Sequence, residues 1–373
     1  MIYPAGCLLT GQQFASELLM DIFTHSGIHP VIIKTPALNR TTGGLFAKPA
    51  WLFRMLKGWF LCLMQLPFPS HLHLNIGQTY LGFLREGAPY LLLALRNRKK
   101  VSVISLHGAV FLEWERNDLA CKIFLIFVRY SNFVTCLGQQ QKDHLIQLGV
   151  PEKKIRILYN AVRDAQGSQP NTSNTVQVLY LSNLIQTKGY DNFLKALALI
   201  TERVNRKVNV VLAGKPLDDG SGTFGSNSEA IAWIEEMISN INASDQVSIE
   251  WIKGIYGEEK DNLFNHSSIF VFPTRYRVEA QPIVLLEAMA AGCAVITTRE
   301  GEIPEALGDS AVYADGYDVC DLADKILEMI NNDQQREYYA DQARKRFESY
   351  FSFRKHTKSW GKIYDFITKK EST

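Results

Sequence analysis

The chain has no Gly-x-Gly-x-x-Gly directly following its first strand and no Gly-x4-Gly-Lys-Ser/Thr. The first absence argues against a nicotinamide-dependent dehydrogenase and the second against a P-loop nucleotidase. Cys-x-x-Cys is missing as well. The six cysteines (Cys7, Cys62, Cys121, Cys136, Cys293 and Cys320) are scattered, most of them in apolar runs. There a free thiol behaves as a small hydrophobe, which favours a reducing compartment. No basic segment followed by an apolar core opens the chain, so no signal peptide is expected. No Asp-x-Asp lies between apolar strands, no His/Cys cluster occurs, and Asp218-Asp219 offers too few oxygens for a divalent cation. No metal is expected. There is no internal repeat, and the net charge of +2 gives no reason to expect a nucleic-acid partner.

What is present fits two domains of ordinary size in 373 residues, with 46% apolar and 21% charged residues. The charge is unevenly placed. Residues 1–165 carry 18 basic against 9 acidic side chains, and residues 166–373 carry 22 against 29. A basic first half on an acidic second half suggests different partners.

The most informative stretch runs from Ser268 to Leu307. Ile269 to Phe272 reads as a buried strand stopped by Pro273. A polar loop with Glu279 follows, and Pro282 stands where the first turn of a helix accepts a proline. Glu287 lies on that helix, Gly292 ends it in the left-handed conformation, and Cys293 to Thr298 is the next strand. Parallel sheets bind ligands outside the carboxyl ends of their strands. Two ionised carboxylates there accept from several neighbouring hydroxyls, while unpaired N–H groups from Ala280 to Val284 donate. That combination suits a sugar joined to a phosphate.

The segment EAQPIVLLEAMAAGCAVITT resembles the E-x7-E motif of retaining, nucleotide-sugar-dependent glycosyltransferases of the GT-B fold (family 4). The resemblance implies an α/β protein of two Rossmann-like, doubly wound domains facing across a cleft. It implies that Glu287 holds the donor ribose and that Glu279 holds the sugar hydroxyls. Backbone groups at Ala280, Gln281, Pro282 and Ile283 would frame the sugar. It further implies a nucleotide-diphosphate sugar as donor substrate, with no cofactor. A glycan or lipid-linked acceptor would be made into cell-surface polysaccharide or glycolipid, in the cytoplasm and at the inner face of the membrane.

The rest of the chain is consistent with alternating strands and helices, twice over. MIYPAG is short for a first strand; a helix with Phe14, Leu18 and Ile22 at helical spacing follows. By resemblance Gly11 lies in the loop near the donor phosphates. Val31 to Lys34 is the expected second strand. Lys48 to Leu66 holds Trp51, Phe53, Trp59 and Phe60, interrupted by Arg54 and Lys57. It is too short and too charged to span a bilayer but suits a membrane-surface helix, and an ordinary packed amphipathic helix is the other reading. Peripheral membrane contact through residues 48–66 and the basic first domain is therefore expected. Val101 to Leu106 delivers His107-Gly108 at a strand end, which in the family lies beside the donor.

Asp164 to Thr175 is linker chemistry. It divides an acceptor-side domain (1–163) from a nucleotide-sugar domain (176–347), with a closing helix (348–373) that the family sends back to the first domain. In the second domain Lys188 stands at a strand-to-helix junction where a cation and helix N–H groups share a diphosphate. Asn183 occupies the position where the family usually has Arg, so Arg275 or Arg277 is expected to assist. Gly214 ends the next strand, and Lys260 is expected at the surface. A sugar-nucleotide epimerase of similar build is disfavoured by the E-x7-E segment. A non-catalytic nucleotide-sugar-binding subunit stays open on account of Asn183 and the short start.

Overall fold

A computed structural model describes residues 1–5, 11–25, 27, 30, 32–36, 53, 55–60, 64, 71–96, 101–164, 175–217, 220, 222–277 and 279–371. Two compact units make up the chain: residues 1–160 with 356–373, and residues 161–355.

The first unit is built on β1 (Ile2–Ala5), β2 (Ile33–Pro36), β3 (His71–Asn75), β4 (Val101–Ser105), β5 (Phe133–Cys136) and β6 (Ile155–Ile157). They form one parallel sheet in the order β2-β1-β3-β4-β5-β6. MIYPAG, short as it is, thus supplies an inner strand, paired from Ile2↔Ile33 to Ala5↔Pro36. The second strand is Ile33–Pro36, which shares Ile33 and Lys34 with the expected Val31–Lys34 and runs on to Pro36; Val31 lies outside the described residues. Being at the sheet edge, the strand tolerates Pro36 at its end, because no neighbour needs the missing N–H.

β3 was not expected from the sequence, because His-Leu-His-Leu-Asn lacks the apolar run that marks the other strands. It is nevertheless buried from Leu72 to Asn75, because its polar side chains find partners. His73 donates from Nε2 to the Asn75 carboxamide oxygen (3.0 Å) and accepts at Nδ1 from the Tyr364 hydroxyl (3.0 Å). Ser105 Oγ lies 3.1 Å from His73 Nε2 and accepts from Thr135 Oγ1 at 2.8 Å. Farther along the closing helix (Phe353–Glu371), Trp360 Nε1 donates to His356 Nε2 at 3.1 Å.

Burial drives both His73 and His356 down to about 3, so they are neutral in the folded chain. An unfolded histidine takes up its proton near pH 6.5, so the unfolded state binds more protons below that value. Stability therefore falls as pH drops from 6.5 toward 3, by about 1.4 kcal/mol per unit for each histidine. We expect the thermal midpoint of the first unit to fall between pH 6.5 and 4.5, and His356→Gln to shrink that fall. An unchanged pH dependence in the variant would remove His356 from the account.

The second unit repeats the design with β7 (Val176–Leu181), β8 (Val208–Ala213), β9 (Val247–Ile252), β10 (Ile269–Phe272), β11 (Ala294–Thr297) and β12 (Val312–Tyr313). The order is β12-β11-β10-β7-β8-β9, again parallel. The chain runs from β7 outward to β9, then returns to lay β10 on the other side of β7. The crevice beyond β7 and β10 is therefore the switch point at which open sheets of this kind bind ligands. The helix Ile283–Ala291 carries little polar surface and buries Leu285, Leu286, Ala288 and Met289. It stops at Gly292, whose φ of 76° lets Cys293 N–H reach the Ala288 carbonyl at 3.0 Å. The helix Tyr190–Ile200 buries Phe193, Leu194 and Leu197, whereas Ala198, expected on the same face, is exposed.

Candidate functional site

Lys188 follows β7 and Glu279 follows β10, so the switch point of the second unit brings them together from 91 residues apart in sequence. The Lys188 ammonium is in direct ion-pair contact with Glu279 Oε2. It also lies 4.7 Å from the Tyr276 ring centroid and 5.7 Å from that of Phe272. Both charged side chains are largely buried, 19% and 10% exposed. The carboxylate takes a further bond from Thr274 Oγ1 at 3.2 Å, and that hydroxyl accepts from Tyr276 N–H at 3.2 Å. Thr298 Oγ1 in turn donates to the Thr274 carbonyl at 2.6 Å. Thr274, Tyr276 and Thr298 were not singled out in the sequence. Only their positions at strand carboxyl ends, Thr274 and Tyr276 after β10 and Thr298 after Ala294–Thr297, offered a signal.

The loop carrying Glu279 is fixed from two sides. Arg275 N–H donates to the Thr187 carbonyl at 2.7 Å, and Arg275 Nη2 donates to Gln186 O and to Asp191 Oδ1, both at 2.8 Å. With Asp191 only 3% exposed, Arg275 is committed to bracing the loop and is not available as a substitute phosphate ligand. Arg277 is exposed. From the other side, Glu302 N–H donates to the Glu279 carbonyl at 3.3 Å, and Gly301 packs against the same carbonyl.

Glu287 lies on the Ile283–Ala291 helix. Lys260, expected at the surface, turns inward and places Nζ 2.5 Å from Glu287 Oε1. The pair is 22% and 12% exposed. Burial raises the Glu287 carboxyl above the usual carboxylate range, while Lys260 opposes that rise.

The remaining expected residues are placed as follows. Gln281 and Pro282 are buried, and Ala280 and Ile283 are half-buried. Pro282 stands directly before the helix. Asn183 is exposed, with its carbonyl accepting from Ile185 N–H at 2.8 Å. Gly214 has φ 152°, and its Cα lies so close to the Ser182 carbonyl that a Cβ would come within 1.8 Å of the oxygen. In the first unit Gly11 is the first residue of the Gly11–His25 helix, not part of a loop. His107 follows β4, and its Nδ1 is 3.3 Å from Asn160 Oδ1. Since that oxygen only accepts, Nδ1 carries the proton and Nε2 is an acceptor, buried and without a hydrogen-bond partner among the described residues. Burial holds this imidazole down to about 4, so it is neutral. Among the described residues no group of three or more His, Cys, Asp or Glu could hold a metal. No helix among them is long and apolar enough to cross a membrane.

The family described as glycosyl transferases group 1 matches residues 162–346, which span the whole Lys188, Glu279 and Glu287 arrangement. An uncharacterized glycosyltransferase of Methanocaldococcus jannaschii is 20% identical over 299 residues, 74% of this chain and 71% of that protein. Among solved structures, a glycosyltransferase from Rickettsia africae superposes with a TM-score of 0.71 at 16% identity, over 99% of this chain and 98% of the other. An Anabaena protein, HepE, crystallised with UDP, gives 0.67 at 14% identity, over 98% and 100%. Two parallel-sheet units and these likenesses together show that the chain has the GT-B fold and that its residues 162–346 belong to the glycosyl transferases group 1 family.

Proposed function

We propose that the protein is a retaining glycosyltransferase that moves a sugar from a nucleotide-diphosphate sugar to an acceptor in cell-surface polysaccharide or glycolipid synthesis. The observation that carries this reading is the Lys188–Glu279 pair at the β7/β10 switch point. A cation there meets a departing diphosphate, and a carboxylate there holds the hydroxyls of the sugar being moved. In the step, the bond from the anomeric carbon to the diphosphate oxygen breaks and a bond to the acceptor hydroxyl forms on the same face. The acceptor proton passes to the leaving phosphate. Negative charge grows on that phosphate, so Lys188 and the N–H groups at the start of the Ile283–Ala291 helix stabilise the transition state more than the ground state. These groups supply the positive charge without a metal. Glu287 accepts from the ribose hydroxyls.

The binding half of this reading is tested by calorimetry with UDP, GDP and ADP on the native chain and on Glu287→Ala. We expect one nucleotide to bind selectively and the substitution to weaken it about tenfold or more, since the carboxylate's charge-assisted hydrogen bonds are each worth about 1.5–3 kcal/mol. If none binds, the donor site is lost and a non-catalytic partner subunit becomes the better account.

Contact with a membrane belongs to the same proposal. Phe53, Leu56, Phe60 and Met64 are spaced along one helical face and are 70%, 49%, 59% and 62% exposed. The opposite side is turned inward: Met55 is buried, and Trp59 Nε1 donates to the Arg85 carbonyl at 3.3 Å. Exposed Leu84, Leu92 and Leu95 lie on the segment that Trp59 touches. Apolar side chains presented outward in a basic half of the chain suit the surface of an anionic bilayer. Sedimentation with phosphatidylglycerol vesicles at low salt should retain the native chain. Phe53→Ser/Phe60→Ser should release most of it, and equal binding by both proteins would remove the helix from the contact.

A further inference from the structure

Lys260 is the one basic residue in the first two turns of the Gly257–His266 helix, where Glu258, Glu259 and Asp261 all face solvent. It alone turns inward among them. Its ammonium reaches across to the Ile283–Ala291 helix and meets Glu287 Oε1 at 2.5 Å. No other side-chain hydrogen bond engages Glu287 among the described residues, so Oε2 is left for a ligand. The chemistry asked of Glu287 makes that partner consequential. A carboxylate accepts at both oxygens and can hold two vicinal hydroxyls, whereas a carboxylic acid presents an O–H and loses that match. Burial favours the acid and Asp261 pushes the same way; Lys260 is the charge that opposes them.

We propose that Lys260 is a positioning residue for the nucleotide: its ion pair holds Glu287 as an acceptor-only carboxylate with Oε2 directed to a vicinal diol, the ribose of a nucleoside diphosphate. The inference rests on the donor-site reading given above and adds to it a residue outside the Glu-x7-Glu segment. Lys260 acts through Glu287 and does not touch the ligand. Across the facing elements the charged groups around Glu287 are Lys260 and Asp261, and removal of Lys260 leaves burial and Asp261 unopposed.

The test is calorimetric titration with UDP, GDP and ADP at several values between pH 6.5 and 9, on the native chain, Lys260→Met, Lys260→Arg and Glu287→Gln. Dividing each variant's affinity by the native value at the same pH cancels the titration of the phosphate itself. For Lys260→Met we expect about tenfold weaker binding near pH 7, recovering to within about threefold at pH 9 as Glu287 regains its charge. Lys260→Arg keeps the cation and should stay within about threefold throughout. A loss in Lys260→Met that is constant with pH overturns the proposal, since it marks either direct contact with the nucleotide or a merely structural brace. So does native affinity at every pH. Glu287→Gln separates the two levels of the argument: full affinity in that variant overturns the ribose reading itself, whatever Lys260 does. Thermal melts of all four proteins at each pH identify any loss caused by unfolding.

Discussion

Lys188→Met is expected to lower kcat about 10³-fold, with a much smaller change in the affinity for the intact nucleotide-diphosphate sugar. In the proposed step the leaving diphosphate acquires charge as the glycosidic bond breaks, and a fixed cation at that point is worth roughly 3–4 kcal/mol in a site shielded from water. Binding of the intact donor uses the same cation less, because its phosphate charge is smaller and is shared with the helix start. The ion pair adds a second expectation that concerns stability and needs no substrate. With Glu279 only 10% exposed, removing Lys188 leaves its carboxylate buried without a countercharge. Breaking one side of such a pair costs about 3–5 kcal/mol.

Glu279→Gln alone should likewise destabilise, by stranding the ammonium beside the Tyr276 and Phe272 rings. The double variant removes both charges, so its destabilisation should fall well short of the sum of the two. Additive stability losses in denaturant melts would show that the pair is not coupled in solution. Glu279→Ala should also abolish most turnover, because in the proposed reaction the sugar loses the carboxylate that holds it. Near-native turnover in that variant would sink the assignment of Glu279 to the sugar.

The Glu-x7-Glu segment was legible because each of its parts is local: an apolar strand, a proline before a helix, a glycine after it, another strand. Its placement at the switch point also follows from strand order. What escaped the sequence depends on partners distant in the chain. Lys260 looked like a solvent-facing helix residue beside Glu258, Glu259 and Asp261, and nothing local shows that it alone turns toward a helix 27 residues further on. Arg275 looked free to bind phosphate until Asp191, 84 positions earlier, was found to hold it. β3 was hidden because burial of His73 and Asn75 depends on Ser16, Ser105 and Tyr364, which only the folded sheet assembles. Periodicity reports which residues avoid water; it cannot report polar residues that exchange water for one another.

Gly301 gives the second large effect, and a neighbouring glycine supplies its control. Gly301 has φ 51°, and a Cβ there would lie 1.8 Å from the Glu279 carbonyl oxygen, 2.8 Å from its carbonyl carbon and 3.3 Å from its Cα. All three are main-chain atoms of the residue proposed to hold the sugar, so no side-chain rotation relieves the clash. Gly292 also has a left-handed φ, 76°, but a Cβ there meets nothing within 4 Å. Alanine at either position incurs the left-handed backbone penalty of about 1–2 kcal/mol. Only at Gly301 must the Glu279 backbone also move. A shift of about 1 Å in a group that orients substrate is worth roughly 10² in rate. Gly301→Ala should therefore lose about 10²-fold in kcat, whereas Gly292→Ala should lower the thermal midpoint by a few degrees and leave kcat within about threefold. Equal kcat losses in the two variants would attribute the effect to general backbone strain, and native kcat in Gly301→Ala would mean that the position of Glu279 does not control the reaction.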